Sequence, residues 1–282
     1  MPNPRERMTK HQIPEPIKGF ANFGHLNLSS VNNARDLGGM PAGHKFIDRR
    51  RILRSGSLSD ATQEDLNLLM DSRDVDLIID LRSDVEIERE PDPKHLMRGV
   101  GYIHASVIDA DTMGISGKTT ANLKGLTSYL DKPYEQISEI YIEAVLGRTG
   151  KRAFARVFEE LLYAKTGATL FHCAQGKDRT GICAWLIEVA LGVSEQDRYK
   201  DYLATNIFIE GMPNKFTRIA HGASLNGPLS NASEAYGFAH VEYYNSFTSA
   251  ITENYGTVEA YLERALGVDK NAREQLQAMY LI

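Results

Sequence analysis

Apolar positions along the chain alternate between two periods. Val75 to Leu81, which carries Asp80 at its end, and Ala168 to Phe171 are mainly apolar runs of strand length, suited to the buried middle of a sheet. Val100 to Val107 reads as another strand, and Arg51-Ile52-Leu53 marks one within Phe46 to Ser57. Between them the spacing lengthens to that of helices. Phe154, Val157, Phe158, Leu161 and Leu162 share one face of a helix predicted over Arg152 to Lys165, and Tyr134 to Leu146 predicts another. A capping pair, Thr62 and Asp65, precedes Leu66, Leu68, Leu69 and Met70. Ser83 to Glu90 is a short charged helix stopped by Pro91 and Pro93. Ile182 to Leu191 is strongly apolar and helical, and the remainder predicts helices over Glu195 to Asn206, Ala235 to Asn254, Val258 to Leu266 and Ala272 to Leu281. Strands alternating with helices imply an α/β fold with a central, mainly parallel sheet flanked by helices.

Three stretches lack either period. Residues 1 to about 25 carry Pro2, Pro4, Pro14 and Pro16 and read as a surface arm, so the expected organisation is an arm over 1–27 and a single domain over 28–282. Residues 109–131 read as a polar loop or insertion, and His221 to Ser233 as a Gly/Ser/Asn-rich loop. A net charge of −5 argues against a nucleic-acid partner, which would call for a basic face. No run reaches the roughly 18–20 apolar residues of a membrane span, so stable membrane insertion is not expected. The opening MPNPRERMTK has no apolar core for a signal peptide; a cytoplasmic protein is expected, with signal-peptide-independent release left open. The two cysteines, Cys173 and Cys183, are too few for a disulfide framework, and Cys183 is expected to pack in the core.

The chemistry concentrates in His172 to Gly181, HCAQGKDRTG. A strand enters this segment and a helix leaves it, so backbone N–H groups converge on one hollow at a positive helix end, where an anion fits. The backbone of Ala174, Gln175, Gly176 and Lys177, with Thr180, is the expected phosphate-binding set. Cys173 is the candidate nucleophile: the helix dipole, Lys177 and Arg179 all favour its thiolate. The planar guanidinium of Arg179 suits two phosphoryl oxygens, and the Thr180 hydroxyl suits support of the thiolate as leaving group. His172 is expected to fix the loop. A nucleotide-binding reading of Gly176-Lys177 fails, because Phe171 and Asp178 stand where that motif needs Gly and Ser or Thr.

This segment resembles the signature loop of the Cys-dependent protein tyrosine phosphatase superfamily, and its Gly-Lys-Asp-Arg-Thr ending resembles bacterial and fungal tyrosine/serine phosphatases that also act on phosphoinositides. Asn33-Ala34-Arg35-Asp36-Leu37-Gly38-Gly39, Arg54-Ser55-Gly56, Asp80-Leu81-Arg82-Ser83 and Asn254-Tyr255-Gly256 are similar to further motifs of that family, in the same order. The resemblance runs from about residue 28 to the end. It implies a phosphomonoester hydrolase using a phosphocysteine, without cofactor or metal, acting on phosphorylated proteins or phosphoinositides. It also implies a helical lid over the active site after about residue 195, for which Tyr236, Phe238, Tyr243, Tyr244 and Phe247 are candidates beside ordinary core packing.

The general acid stays open at this stage. The family's Trp-Pro-Asp loop is missing, since Trp185, the one Trp, lies within the signature helix. Asp178, inside the loop, is favoured over Asp80 at the tip of its strand; Asp80 is alternatively a structural partner of Arg35, Arg54 or Arg82, and Asp92 is a weaker third candidate. Lys177 is expected at the rim, where a second cation favours phosphoinositide headgroups. Two other function classes remain: a phosphate-binding module without turnover and a rhodanese-like sulfurtransferase.

Overall fold

The computed structural model describes residues 12–109, 132–164, 166–209 and 228–282. Seven strands occur among them: β1 Arg35–Asp36, β2 Pro41–Ala42, β3 Lys45–Phe46, β4 Ile52–Ser55, β5 Val75–Asp80, β6 Gly101–His104 and β7 Ala168–His172. The main sheet has the order β1-β4-β7-β5-β6, with only the β1–β4 pair antiparallel; β2 and β3 form a separate hairpin. The helices are α1 Gln63–Asn67, α2 Asp84–Arg89, α3 Pro133–Leu146, α4 Arg148–Tyr163, α5 Asp178–Leu191, α6 Glu195–Ile209, α7 Pro228–Gly237, α8 Val241–Tyr255, α9 Val258–Leu266 and α10 Lys270–Tyr280. No helix among the described residues is long and apolar enough to cross a membrane.

The strands alternate their side chains between two cores. Ile52, Ile79 and Phe171 point to the larger one, shared with α3 to α10, while Leu53, Ile78 and Leu170 join the smaller one with Leu66 and Leu69 of the α1 region. Helix α5 is apolar all round because it is packed all round: every residue from Arg179 to Leu191 is buried. Register places the site. His172 pairs with Ser55 on one side and Asp80 on the other, so β7 delivers Cys173 between the carboxyl ends of two parallel strands.

Several elements differ from expectation. The helix expected over Ala235 to Asn254 is broken between Gly237 and Val241, where the Asn206 side chain donates to the Ala239 carbonyl (2.9 Å) and accepts from the Ala239 N–H (2.8 Å). That captured backbone cannot continue a helix. Pro228 to Ser233, expected as loop, lies in α7, while 221–227 fall outside the described residues. Strand β6 is shorter than Val100 to Val107 because its ladder ends with Asp80, the last residue of β5. In the expected surface arm, Ile17, Phe20, Phe23 and Leu26 are buried, so the arm reading does not hold for this stretch: these side chains fill gaps in both cores. The loop expected over 109–131 lies outside the described residues except for Asp109.

Candidate active site

The signature loop is tied to the rest of the sheet through its backbone. Gly176 adopts φ +67°, and a Cβ there would fall 2.6 Å from the Gly56 nitrogen, so only glycine fits. Its carbonyl accepts from Asn33 Nδ2 (2.7 Å) and Arg54 Nη2 (3.0 Å), and the Ala174 carbonyl accepts from the Ser57 N–H (3.0 Å). Asn33, Arg54 and Ser57 come from the two N-terminal motif regions, which thus act as braces for the loop. Behind them Arg35 and Arg54 share one carboxylate, Asp201 of α6, at 2.6 and 2.7 Å. Glu188 of α5 is buried beside this group; burial first, and the charge of Asp201 second, push its carboxyl well up, so it holds its proton.

Cys173 is buried at the mouth of the loop, with Ala174 and Gln175 half-buried around it. Arg179 meets Glu86 of α2 in a two-point pair, Nη1 to Oε2 at 2.6 Å and Nη2 to Oε1 at 2.7 Å. Burial alone would lower the Arg179 pKa, but the charges of Glu86, Cys173 and Asp178 outweigh it and hold the guanidinium charged. The reverse holds for Glu86: burial opposes ionisation, yet Arg179 and the Ser83 bonds bring its pKa down to about 2. Glu86 was not anticipated as a site residue. Its signal was Ser83-x-x-Glu86, a capping box at the start of α2, whose Glu Oε2 accepts from Ser83 N (2.9 Å) and Oγ (2.8 Å).

The two candidate acids sit in opposite surroundings. Asp80 is fully buried; both its oxygens accept from Arg82 (2.7–3.1 Å), and Oδ2 accepts from the Tyr102 hydroxyl (2.5 Å). Burial opposes its charge, but the Arg82 hydrogen bonds prevail and hold its carboxyl well below the usual range. Arg82 and Tyr102 hold the two oxygens and favour the charged form, which speaks against an acid role for Asp80. Asp92 lies in the same group, with Oδ2 2.9 Å from Arg82 Nη2 and 3.1 Å from His172 Nε2. Asp80, Asp92 and His172 bring donors together as a metal site would, but Arg82 Nη2 already lies against both aspartates and supplies the cation. Asp178 instead is half-exposed at the first position of α5; its Oδ1 accepts from the Tyr141 hydroxyl at 2.5 Å.

Lys177 departs from its expected place at the rim. Its ammonium is buried, donating to the carbonyls of Tyr236 (3.0 Å) and Phe238 (3.2 Å) and lying 3.1 Å from Asp178 Oδ1. The carbonyls at the carboxyl end of α7 attract it. The Thr180 hydroxyl is buried and finds no hydrogen-bond partner among the described residues. His172 Nδ1 lies 3.3 Å from the Cys173 carbonyl, in keeping with a loop-fixing role. Burial pushes the Cys183 thiol up, as suits an inert core residue. Of the expected lid aromatics, Tyr243, Tyr244 and Phe247 are core residues packed with Trp185, Tyr141 and Tyr202, while Tyr236 and Phe238 meet the loop through their carbonyls.

Cys173 and Arg179 thus lie near enough to interact electrostatically at the start of α5. The sequence model of a tyrosine phosphatase family matches residues 26–282. A Cupriavidus necator protein named as a tyrosine-protein phosphatase is 30% identical over 264 residues, covering 91% of this chain and 88% of its own. A tyrosine-protein phosphatase of Nostoc commune is 30% identical over 224 residues, covering 79% and 70%.

Proposed function

This chain belongs to the tyrosine phosphatase family and is an enzyme of that class, and from that premise we propose that it hydrolyses phosphotyrosine through a phosphocysteine on Cys173. The observation that carries the mechanism is the Arg179–Glu86 pair, which fixes a guanidinium beside the cysteine. Glu86 takes one N–H from each terminal nitrogen and leaves Nε–H and the outer N–H groups for phosphoryl oxygens. Cys173 thiolate attacks phosphorus and the P–O bond to the substrate breaks. Asp178 gives its proton to the leaving oxygen. Water then attacks the phosphocysteine, Asp178 takes back a proton, and the S–P bond breaks to release orthophosphate and thiolate. Thr180, whose buried hydroxyl has no partner among the described residues, is available to the thiolate at that moment.

Membership of the family displaces the sulfurtransferase and binding-module readings. Within the family, the buried position of Lys177 leaves it no part at the rim, so the support it lent to phosphoinositide hydrolysis falls away. Phosphotyrosine peptides are the expected substrates over phosphoserine peptides and phosphoinositides. Turnover of p-nitrophenyl phosphate and of these three substrates, on wild type, Cys173→Ser and Asp178→Asn, tests the reading. Cys173→Ser abolishes all turnover, and Asp178→Asn slows poor leaving groups by about a hundredfold or more. Full activity of Cys173→Ser, measured with EDTA present, overturns the mechanism.

A further inference from the structure

We propose that Tyr141 is a positioning residue for the reaction, holding one oxygen of Asp178 so that the other carries the catalytic proton. This rests on the assignment of Asp178 as the acid. Tyr141 lies on α3, far from the signature loop in sequence, yet its hydroxyl donates to Asp178 Oδ1 at 2.5 Å. Lys177 Nζ lies 3.1 Å from the same oxygen. Oδ1 is therefore committed to a donor and a cation, and a proton placed there would have to displace one of them. Among the described residues Oδ2 accepts no hydrogen bond, and Asp178 is about a third exposed. The two oxygens are thus inequivalent: Oδ1 is the anchor, and Oδ2 is the oxygen that gives and takes protons.

The anchor is itself braced. Tyr202 of α6 donates to the Tyr141 oxygen at 3.1 Å, and the two rings meet edge to face. A hydroxyl that accepts one hydrogen bond becomes a better donor in the next, so Tyr202 strengthens the Tyr141–Asp178 bond. Tyr141 is fully buried; burial and the neighbouring Asp178 carboxylate both push its phenol well up, so it remains a donor throughout the working range. The charged and titratable groups facing Asp178 are Lys177 and Arg179 from its own loop and helix, Tyr141 from α3, Tyr202 from α6 and Tyr243 from α8. Removing the Tyr141 hydroxyl takes away the hydrogen bond that fixes Oδ1, so Asp178 loses its fixed orientation toward the leaving oxygen.

The test is a comparison of leaving groups in Tyr141→Phe, which keeps the buried ring. Phenyl phosphate needs a proton on departure, whereas p-nitrophenolate leaves as a stable anion. Tyr141→Phe lowers kcat for phenyl phosphate about tenfold and leaves p-nitrophenyl phosphate within about twofold. Tyr202→Phe does the same by a smaller amount, and stands in should Tyr141→Phe fold poorly. A uniform loss on both substrates overturns the proposal and leaves Tyr141 a packing residue. Asp178→Asn, run in parallel, separates the two ideas. If that variant shows no added dependence on the leaving group, the acid assignment itself fails; if it does and Tyr141→Phe does not, only the positioning role fails.

Discussion

Two buried charge clusters flank the signature loop, and their compositions are inverse. On the β4 side two arginines, Arg35 and Arg54, share the single carboxylate of Asp201. On the β5 side two aspartates, Asp80 and Asp92, share the single guanidinium of Arg82. The surplus arginines spend their remaining donors on neutral acceptors: Arg54 reaches the Gly176 carbonyl, and Arg35 reaches Asn33 and Thr205. The surplus aspartate, Asp92, reaches His172, Tyr102 and the backbone N–H of Leu58. One side therefore grips the loop after Cys173, and the other grips the residue before it.

The inversion sets opposite responses to pH. Asp80, Asp92 and Glu86 all have folded pKa values below their ordinary ones, burial being outweighed by their cationic and hydrogen-bonding partners. Stability from such groups is present above the ordinary carboxylate range and lost as pH falls through the folded value. Glu188, on the arginine-rich side, is shifted upward by burial and by Asp201. The folded state keeps a proton that the unfolded chain releases above about 4.5, so this group costs stability as pH rises.

Four variants break or sharpen the contrast. The largest effect is expected of Arg82→Met, which leaves two carboxylates buried without a cation and costs about 3–5 kcal/mol in denaturant unfolding. Asp201→Asn follows at about 2–3 kcal/mol, because Arg35 and Arg54 keep their neutral acceptors; a larger loss here than in Arg82→Met would reverse the comparison. Glu86→Gln removes the carboxylate charge on Arg179. It lowers kcat/KM about tenfold and reduces the loss of stability seen in wild type as pH falls from 4.5 toward about 2. The smallest change belongs to Glu188→Gln, within about 0.5 kcal/mol at pH 5. The variant then gains on wild type by up to about 1.4 kcal/mol for each unit of rising pH; a difference independent of pH would show that Glu188 is ionised in the folded protein.

What could be seen in the chain beforehand was what lies contiguous in it. Strand β7, the turn and α5 are one run of residues, so the strand, Cys173, the turn at Gly176 and Arg179 at the helix start were legible together. The helical periods of α4, α9 and α10 were equally plain. The partners that meet across long separations were not. Glu86 reaches Arg179 across 93 positions and Tyr141 reaches Asp178 across 37, and no local pattern encodes such pairing. The direction of Lys177 was hidden for a related reason. A lysine beside a phosphate loop reads as a rim cation until the carbonyls at the end of α7 are placed within its reach. The break before α8 had no signal of its own, since Asn206 imposes it from another helix.

Glu86 links two processes that are usually separate. The same carboxylate oxygen closes the cap of α2 and accepts from Arg179. The coil-to-helix equilibrium of this six-residue segment is therefore coupled to the readiness of the guanidinium for an oxyanion. On the proposed mechanism, reciprocity makes slower exchange of the α2 amides the expected outcome when vanadate is added. A capped turn outside the loop thereby becomes a gauge of occupancy on that mechanism.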